Sequence, residues 1–252
     1  MRILKILALL GAVAVAPSAQ AASEAITLPN TRFSSDGIFG TFDRASVQRG
    51  FQVYREVCAS CHSMNLLSYR NLRDIGLTEE QVRAVAADVQ VQDGPNDEGQ
   101  MFERPGRPSD RFRRPFPNDN AARAANNGAL PPDFSVLSKA RLGGPRYLHA
   151  LLVGYEDPPA GFALGDGMNY NRYYSGHQIA MASPLNPDQV EYADRTPATV
   201  DQMARDVALF MQWAAEPELE QRRQMGIKIV IFLSVLGVLA YGVKRRIWAD
   251  LH

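Results

Sequence analysis

The sequence is poor in cysteine, in net charge and in strand-like alternation. It has two cysteines, Cys58 and Cys61, in 252 residues, so a lattice of disulfides cannot staple it. Lys and Arg equal Asp and Glu at 27 each, and the basic excess that suits nucleic acid is missing. No run alternates apolar and polar residues for long enough to build a ladder of strands. That predicts a mainly α domain with long loops. A structural zinc site needs four ligands, and the histidines beyond His62, His149 and His177 among them, stand at the wrong spacing for one.

What is present begins at the two ends. Residues 1–21 carry Arg2 and Lys5, then an apolar run from Ile6 to Ala16, then Ala19-Gln20-Ala21. This is the grammar of a cleaved secretory signal, and it predicts a chain exported from the cytoplasm. Near the other end, Gly226 to Val243 form eighteen mostly apolar residues followed by Lys244, Arg245 and Arg246. At helical rise they span roughly 27 Å, close to the ~30 Å hydrocarbon core of a bilayer. Lys228 can snorkel outward, and Tyr241 and Trp248 suit an interface. The expected organisation is a signal at 1–21, an exported domain at 22–221, an anchor helix at 222–246 and a short cytoplasmic tail at 247–252. Cations flank the anchor on both sides, so the signal, not charge counting, orients it. The domain between holds 19 basic and 26 acidic residues, about −7. Such a surface fits a cationic protein partner met by electrostatic steering.

Within the domain, Ser46 can cap a helix on which Val47, Phe51, Tyr54 and Cys58 share one face. Thr78 with acidic residues behind it caps a second helix over 78–88. Residues 89–120 hold five prolines from Pro95 to Pro117 and few apolar residues, which predicts a surface excursion without a packed element. Short helices are expected at 121–127 and 146–154, and a longer one from Thr199 that Pro217 interrupts before the anchor.

The chemistry lies in Cys58-Ala59-Ser60-Cys61-His62. Two thiols three apart share one turn and reach two vinyl groups on one porphyrin edge, and the following histidine faces the iron. This is the attachment signature of a c-type haem. A dithiol redox motif would need a thioredoxin-like strand–helix alternation, which is missing, and a disulfide across one turn would constrain almost nothing. A second axial ligand, histidine or methionine, is then required for a closed iron site. Without one, the iron would stay open, as a haem sensor or a peroxidase needs. Met203 and Met211 fall in a helix and read as core; Met64 is too near His62. Met101, Met168, Met181, His149 and His177 remain, with Met181 in an irregular Ile-Ala-Met-Ala-Ser-Pro-Leu stretch suited to wrap the open face.

Beyond that signature, ARAANNGALPPDFS at 122–135, GG…Y…LLVGYEDPP at 143–159, NYNRYYSGHQIAMASPL at 169–185 and TPATVDQMARDVALFMQWAAEPELEQRRQMG at 196–226 run in order into the anchor. Together they resemble the cytochrome c1 family of the cytochrome bc1 complex, of bacterial type. The resemblance implies a class I cytochrome c-like haem domain with long loop insertions and one C-terminal transmembrane helix. It implies one covalent haem c held by Cys58 and Cys61, with His62 and Met181 as iron ligands and Arg123 against a propionate. It also implies single-electron transfer from the Rieske iron–sulfur protein to cytochrome c, beside cytochrome b, in a dimeric quinol–cytochrome c reductase. The chain is then an electron-transfer subunit, not an enzyme on its own. Its place is the bacterial inner membrane, single-pass, with the haem domain in the periplasm. Some bacterial relatives clamp a loop with an extra cysteine pair; this chain has none, so its 155–180 loop relies on packing.

Overall fold

Asp43 starts the first helix. Its carboxylate accepts from Ala45 N at 3.0 Å and Ser46 N at 3.4 Å, and α1 runs Arg44–Glu56. The sequence predicts the cap at Ser46; Asp43 takes it because an aspartate accepts from the first free N–H groups at least as well as serine does. Ser46 is turned inward instead, donating to Asp206. The structure, a computed structural model, describes residues 26–249. The predicted signal at 1–21 and the last residues of the tail lie outside them.

In chain order the further helices are α2 (Glu79–Ala87), α3 (Asp119–Ala125), α4 (Pro145–Val153), α5 (Val200–Ala215) and α6 (Leu219–Ile247), with short 3-10 turns at Cys58–Ser60 and Tyr69–Ile75. The mainly helical expectation agrees with this. Thr78 caps α2 through a reciprocal capping box with Gln81, and Thr199 caps α5 by accepting from Gln202 N.

The core is built where α1 crosses α5. Val47, Phe51 and Tyr54 of α1 meet Met203, Val207, Phe210 and Trp213 of α5, all buried. Gly50 permits the contact: a Cβ there would lie 2.0 Å from the Asp206 carbonyl oxygen and 2.7 Å from Phe210 Cβ. Asp206, fully buried, is matched by Arg49 Nε at 2.8 Å and Gln202 Nε2 at 3.0 Å, besides Ser46. A buried carboxylate needs such partners, since an uncompensated one costs several kcal/mol. Helix α4 packs on α5 from the other side.

The sequence predicts no packed element across 89–120, and the structure corrects this. Strand β1 (Gln90–Asp93) pairs antiparallel with β2 (Phe102–Pro105), with Gln90 opposite Pro105 and Asp93 opposite Phe102. Both strands are largely exposed, so no alternation marks them. Arg104 joins the hairpin to the body through Asp93 and Asp110. Just beyond, Phe112 is a core residue, 4.7 Å from the Tyr69 ring centre. A second pair, β3 (Asn169–Tyr170) and β4 (Gln178–Ile179), lies within the long loop after α4.

Helix α6 leaves the domain as one continuous 29-residue element. Only Leu219 in it is buried, while Ile229 to Val243 present their apolar side chains outward. By length and composition it is a candidate membrane span. Its root is fastened: Glu220 accepts from Phe42 N at 2.7 Å and Arg44 Nη2 at 2.9 Å. Arg223 Nη1 donates to the carbonyls of Ser35 and Gly40, each at 2.8 Å.

Candidate haem site

Helix α1 ends at Glu56 and the chain tightens into the Cys58–Ser60 turn, where Cys61 N and His62 N both donate to Cys58 O at 3.1 and 2.9 Å. Cys58 is buried and Cys61 partly exposed, both as free thiols. Burial, with the neighbouring Cys61 adding to it, pushes the Cys58 thiol up to about 12.

His62 is fixed as a ligand should be. Its Nδ1 lies 2.9 Å from Pro132 O; a carbonyl only accepts, so Nδ1 carries the proton and Nε2 keeps its lone pair. Nε2 makes no hydrogen bond among the described residues. Phe134 stacks on the ring at 4.2 Å between centres. Burial lowers the imidazole below its ordinary value, against the Pro132 bond that raises it, so the ring stays neutral at pH 7, the form that binds a metal.

The segment that carries Pro132 is laced to the segment after His62. Asp133 Oδ2 accepts from Ser63 Oγ at 2.7 Å and Asn65 N at 2.9 Å, and Asp133 Oδ1 from Ser135 N at 2.9 Å. Phe134 N donates to Ser63 O at 2.8 Å. Burial disfavours the Asp133 carboxylate, but the bonds from Ser135, Asn65 and Ser63 outweigh it and hold the group below the usual range. Pro132, Asp133 and Phe134 are functional residues that single side chains in the sequence do not reveal. Their only signal is membership in the 122–135 stretch.

Met181 lies elsewhere, half-buried just beyond β4, with its carbonyl accepting from Tyr155 Oη at 3.1 Å. Its rivals have other occupations. His149 is buried with Nδ1 3.2 Å from Thr31 Oγ1 and Nε2 2.8 Å from Asp201 Oδ1, which uses both ring nitrogens. His177 stacks on Tyr170. Met101 is exposed at the hairpin, and Met64, Met203 and Met211 are buried in the core. Met168 packs its Cγ near Gly165. Arg123 is exposed on α3 and gives Nη1 to Gly128 O at 3.2 Å, securing the end of its own helix. No hydrogen bond or ion pair joins it to the Cys58–His62 turn among the described residues.

A cleft of about 480 Å3 opens over Phe51, Tyr54, Tyr69 and Phe112, with Ala59 and Ser60 in its wall. Neither His62 nor Met181 lines it. The donor set itself fits a c-type haem: two thiols on one turn, a neutral imidazole with one nitrogen available, and a thioether on a separate loop.

The family model described as the Cytochrome C1 family matches residues 33–251. A mitochondrial protein of Arabidopsis thaliana, "Cytochrome c1 1, heme protein", is 50% identical over 93% of this chain and 76% of its own length. The mitochondrial cytochrome c1 heme protein of Saccharomyces cerevisiae is also 50% identical, over 92% of this chain and 75% of its own. A Bradyrhizobium diazoefficiens protein, "Cytochrome b/c1", is 45% identical over 89% of this chain and 36% of its own length. With the Cys58–His62 turn, the apolar C-terminal helix, a family model over residues 33–251 and relatives 50% identical over more than nine-tenths of it, the chain belongs to the cytochrome c1 family.

Proposed function

We propose that this chain is a membrane-anchored mono-haem cytochrome. It would relay single electrons from a Rieske iron–sulfur subunit to cytochrome c, beside cytochrome b, in a dimeric quinol–cytochrome c reductase. Cys58 and Cys61 would hold the porphyrin through thioethers, and His62 and Met181 would be the iron ligands. When bound, the haem supplies a one-electron iron couple. The observation that carries this reading is the pinning of His62 Nδ1 by Pro132 O, which leaves Nε2 to face a metal. The residues then fix the ring: Pro132 O holds Nδ1 and Phe134 stacks on the ring face. With no open coordination site, the domain moves electrons and leaves substrates alone. The signal-like start supports an exported domain, read here as periplasmic on a bacterial inner membrane, and the acidic domain suits a cationic cytochrome c. The exposed apolar face of α6 takes the lipid.

Met181→Ala is the test. The sulfur-to-iron charge-transfer band should vanish and the midpoint potential fall, because methionine ligation raises it. An unchanged spectrum would remove Met181 from the iron and reopen the sensor and peroxidase readings. The propionate role of Arg123 is tested apart. Arg123→Gln should lower the potential with the spectrum intact, since a cation near a propionate favours the reduced state; an unmoved potential leaves Arg123 as the helix fastener it is on α3.

A further inference from the structure

We propose that Tyr155, backed by Asn171, is the positioning residue that keeps the Met181 segment closed. This rests on Met181 being the second axial ligand. The two halves of the site are held very unequally. His62 and the residues after it are fixed by Pro132, Asp133, Ser135 and Phe134. Both covalent attachments are on that side as well. The Met181 backbone makes one hydrogen bond among the described residues, the one from Tyr155 Oη at 3.1 Å. From Ala182 to Pro184 no further backbone bond ties the segment, among the described residues, until Leu185 enters the core.

Tyr155 can carry this role because its own position is determined. It follows the end of α4 and pairs with Asn171 as an isolated antiparallel bridge. Asn171 is fully buried. Its Nδ2 donates to Leu151 O at 2.8 Å, its Oδ1 accepts from Tyr173 N at 3.0 Å, and its N donates to His177 O at 3.0 Å. Arg172 N adds a bond to Gly154 O at 2.9 Å. A 27-residue excursion without a cysteine, Tyr155 to Met181, is thus stitched to the last turn of α4. The tyrosine hydroxyl extends that stitching to the ligand.

Opening of the Met181 side is read by competition. An added ligand binds only the open form, so its apparent affinity rises with the open fraction. In the full-length, membrane-extracted chain, Tyr155→Phe keeps the ring and removes the hydroxyl. Haem content and helical circular dichroism should match the wild type. Added imidazole should displace the charge-transfer band at about fivefold lower concentration, which is roughly 1 kcal/mol, the usual net worth of one hydrogen bond. Asn171→Ala should shift the same titration in the same direction. If Met181→Ala abolishes the band but Tyr155→Phe titrates like wild type, the positioning role is overturned and the ligand assignment stands. If Met181→Ala leaves the band, the ligand assignment itself is overturned. If Tyr155→Phe loses haem and helix content together, its role is general folding, and the inference falls.

Discussion

At the scale of single residues, Gly50 and His149 show how little room the core leaves. Gly50 sits where two helices touch backbone to side chain, and any Cβ would push into the Asp206 carbonyl. Gly50→Ala should therefore force α1 and α5 apart. Overpacking of this kind costs about 1–3 kcal/mol, and for a domain of this size that lowers the melting midpoint by roughly 2–12 °C. Differential scanning calorimetry measures it; an unchanged midpoint would mean that the helices are not in contact there.

His149 is depressed below its ordinary 6.5 by burial, against the pull of Asp201. The folded state thus binds fewer protons at that ring than the unfolded one just below pH 6.5, and stability drops as pH falls through that window. His149→Gln should flatten the slope of melting midpoint against pH between about 7 and 5; an unchanged slope would place the titration elsewhere. What can be read in the sequence at this scale follows the same logic. Cys58, Cys61 and His62 are legible because covalent attachment demands a fixed spacing. The Pro132 carbonyl is not, since every residue carries one and only the fold says which meets a ring nitrogen.

Among the elements, capping residues and apolar periodicity mark α2, α4 and α5 in the sequence alone, and an unbroken apolar run marks α6. Helix α1 is legible too, but its start is not: Asp43 and Ser46 are both competent caps, and what decides between them is that Asp206 draws Ser46 inward. The β1–β2 hairpin is invisible there for a plain physical reason. Strands exposed on both faces have no buried side to alternate toward, and their stability comes from Arg104 between Asp93 and Asp110. The core position of Phe112 is hidden likewise, as one aromatic among the arginines of 111–114. The loop after α4 is expected to rely on packing in place of a disulfide. It has a buried asparagine, Asn171, whose side-chain bonds to Leu151 O and Tyr173 N do part of that work.

For the whole molecule, the anchor and the domain meet at one corner. A chain stopped after Gln221 keeps Leu219 and Glu220, with the latter's bonds to Phe42 and Arg44, and loses the two from Arg223. It should be recovered as a soluble red protein after export, less stable by about 3–6 kcal/mol for two hydrogen bonds from a charged group. Denaturant titration reads the difference. Retention of the shortened chain in the membrane fraction would show a second attachment that α6 does not provide.

That corner also limits how the molecule moves. Arg223, one turn into α6, clasps the lead-in segment at Ser35 and Gly40 while Glu220 grips it at Phe42. No slack linker separates the span from the body. With α6 in a bilayer as proposed, a domain mounted in this way stands like a fixed post, unable to swing about the helix root without breaking these bonds. In the proposed relay, any change of reach then has to come from the partners and not from this joint.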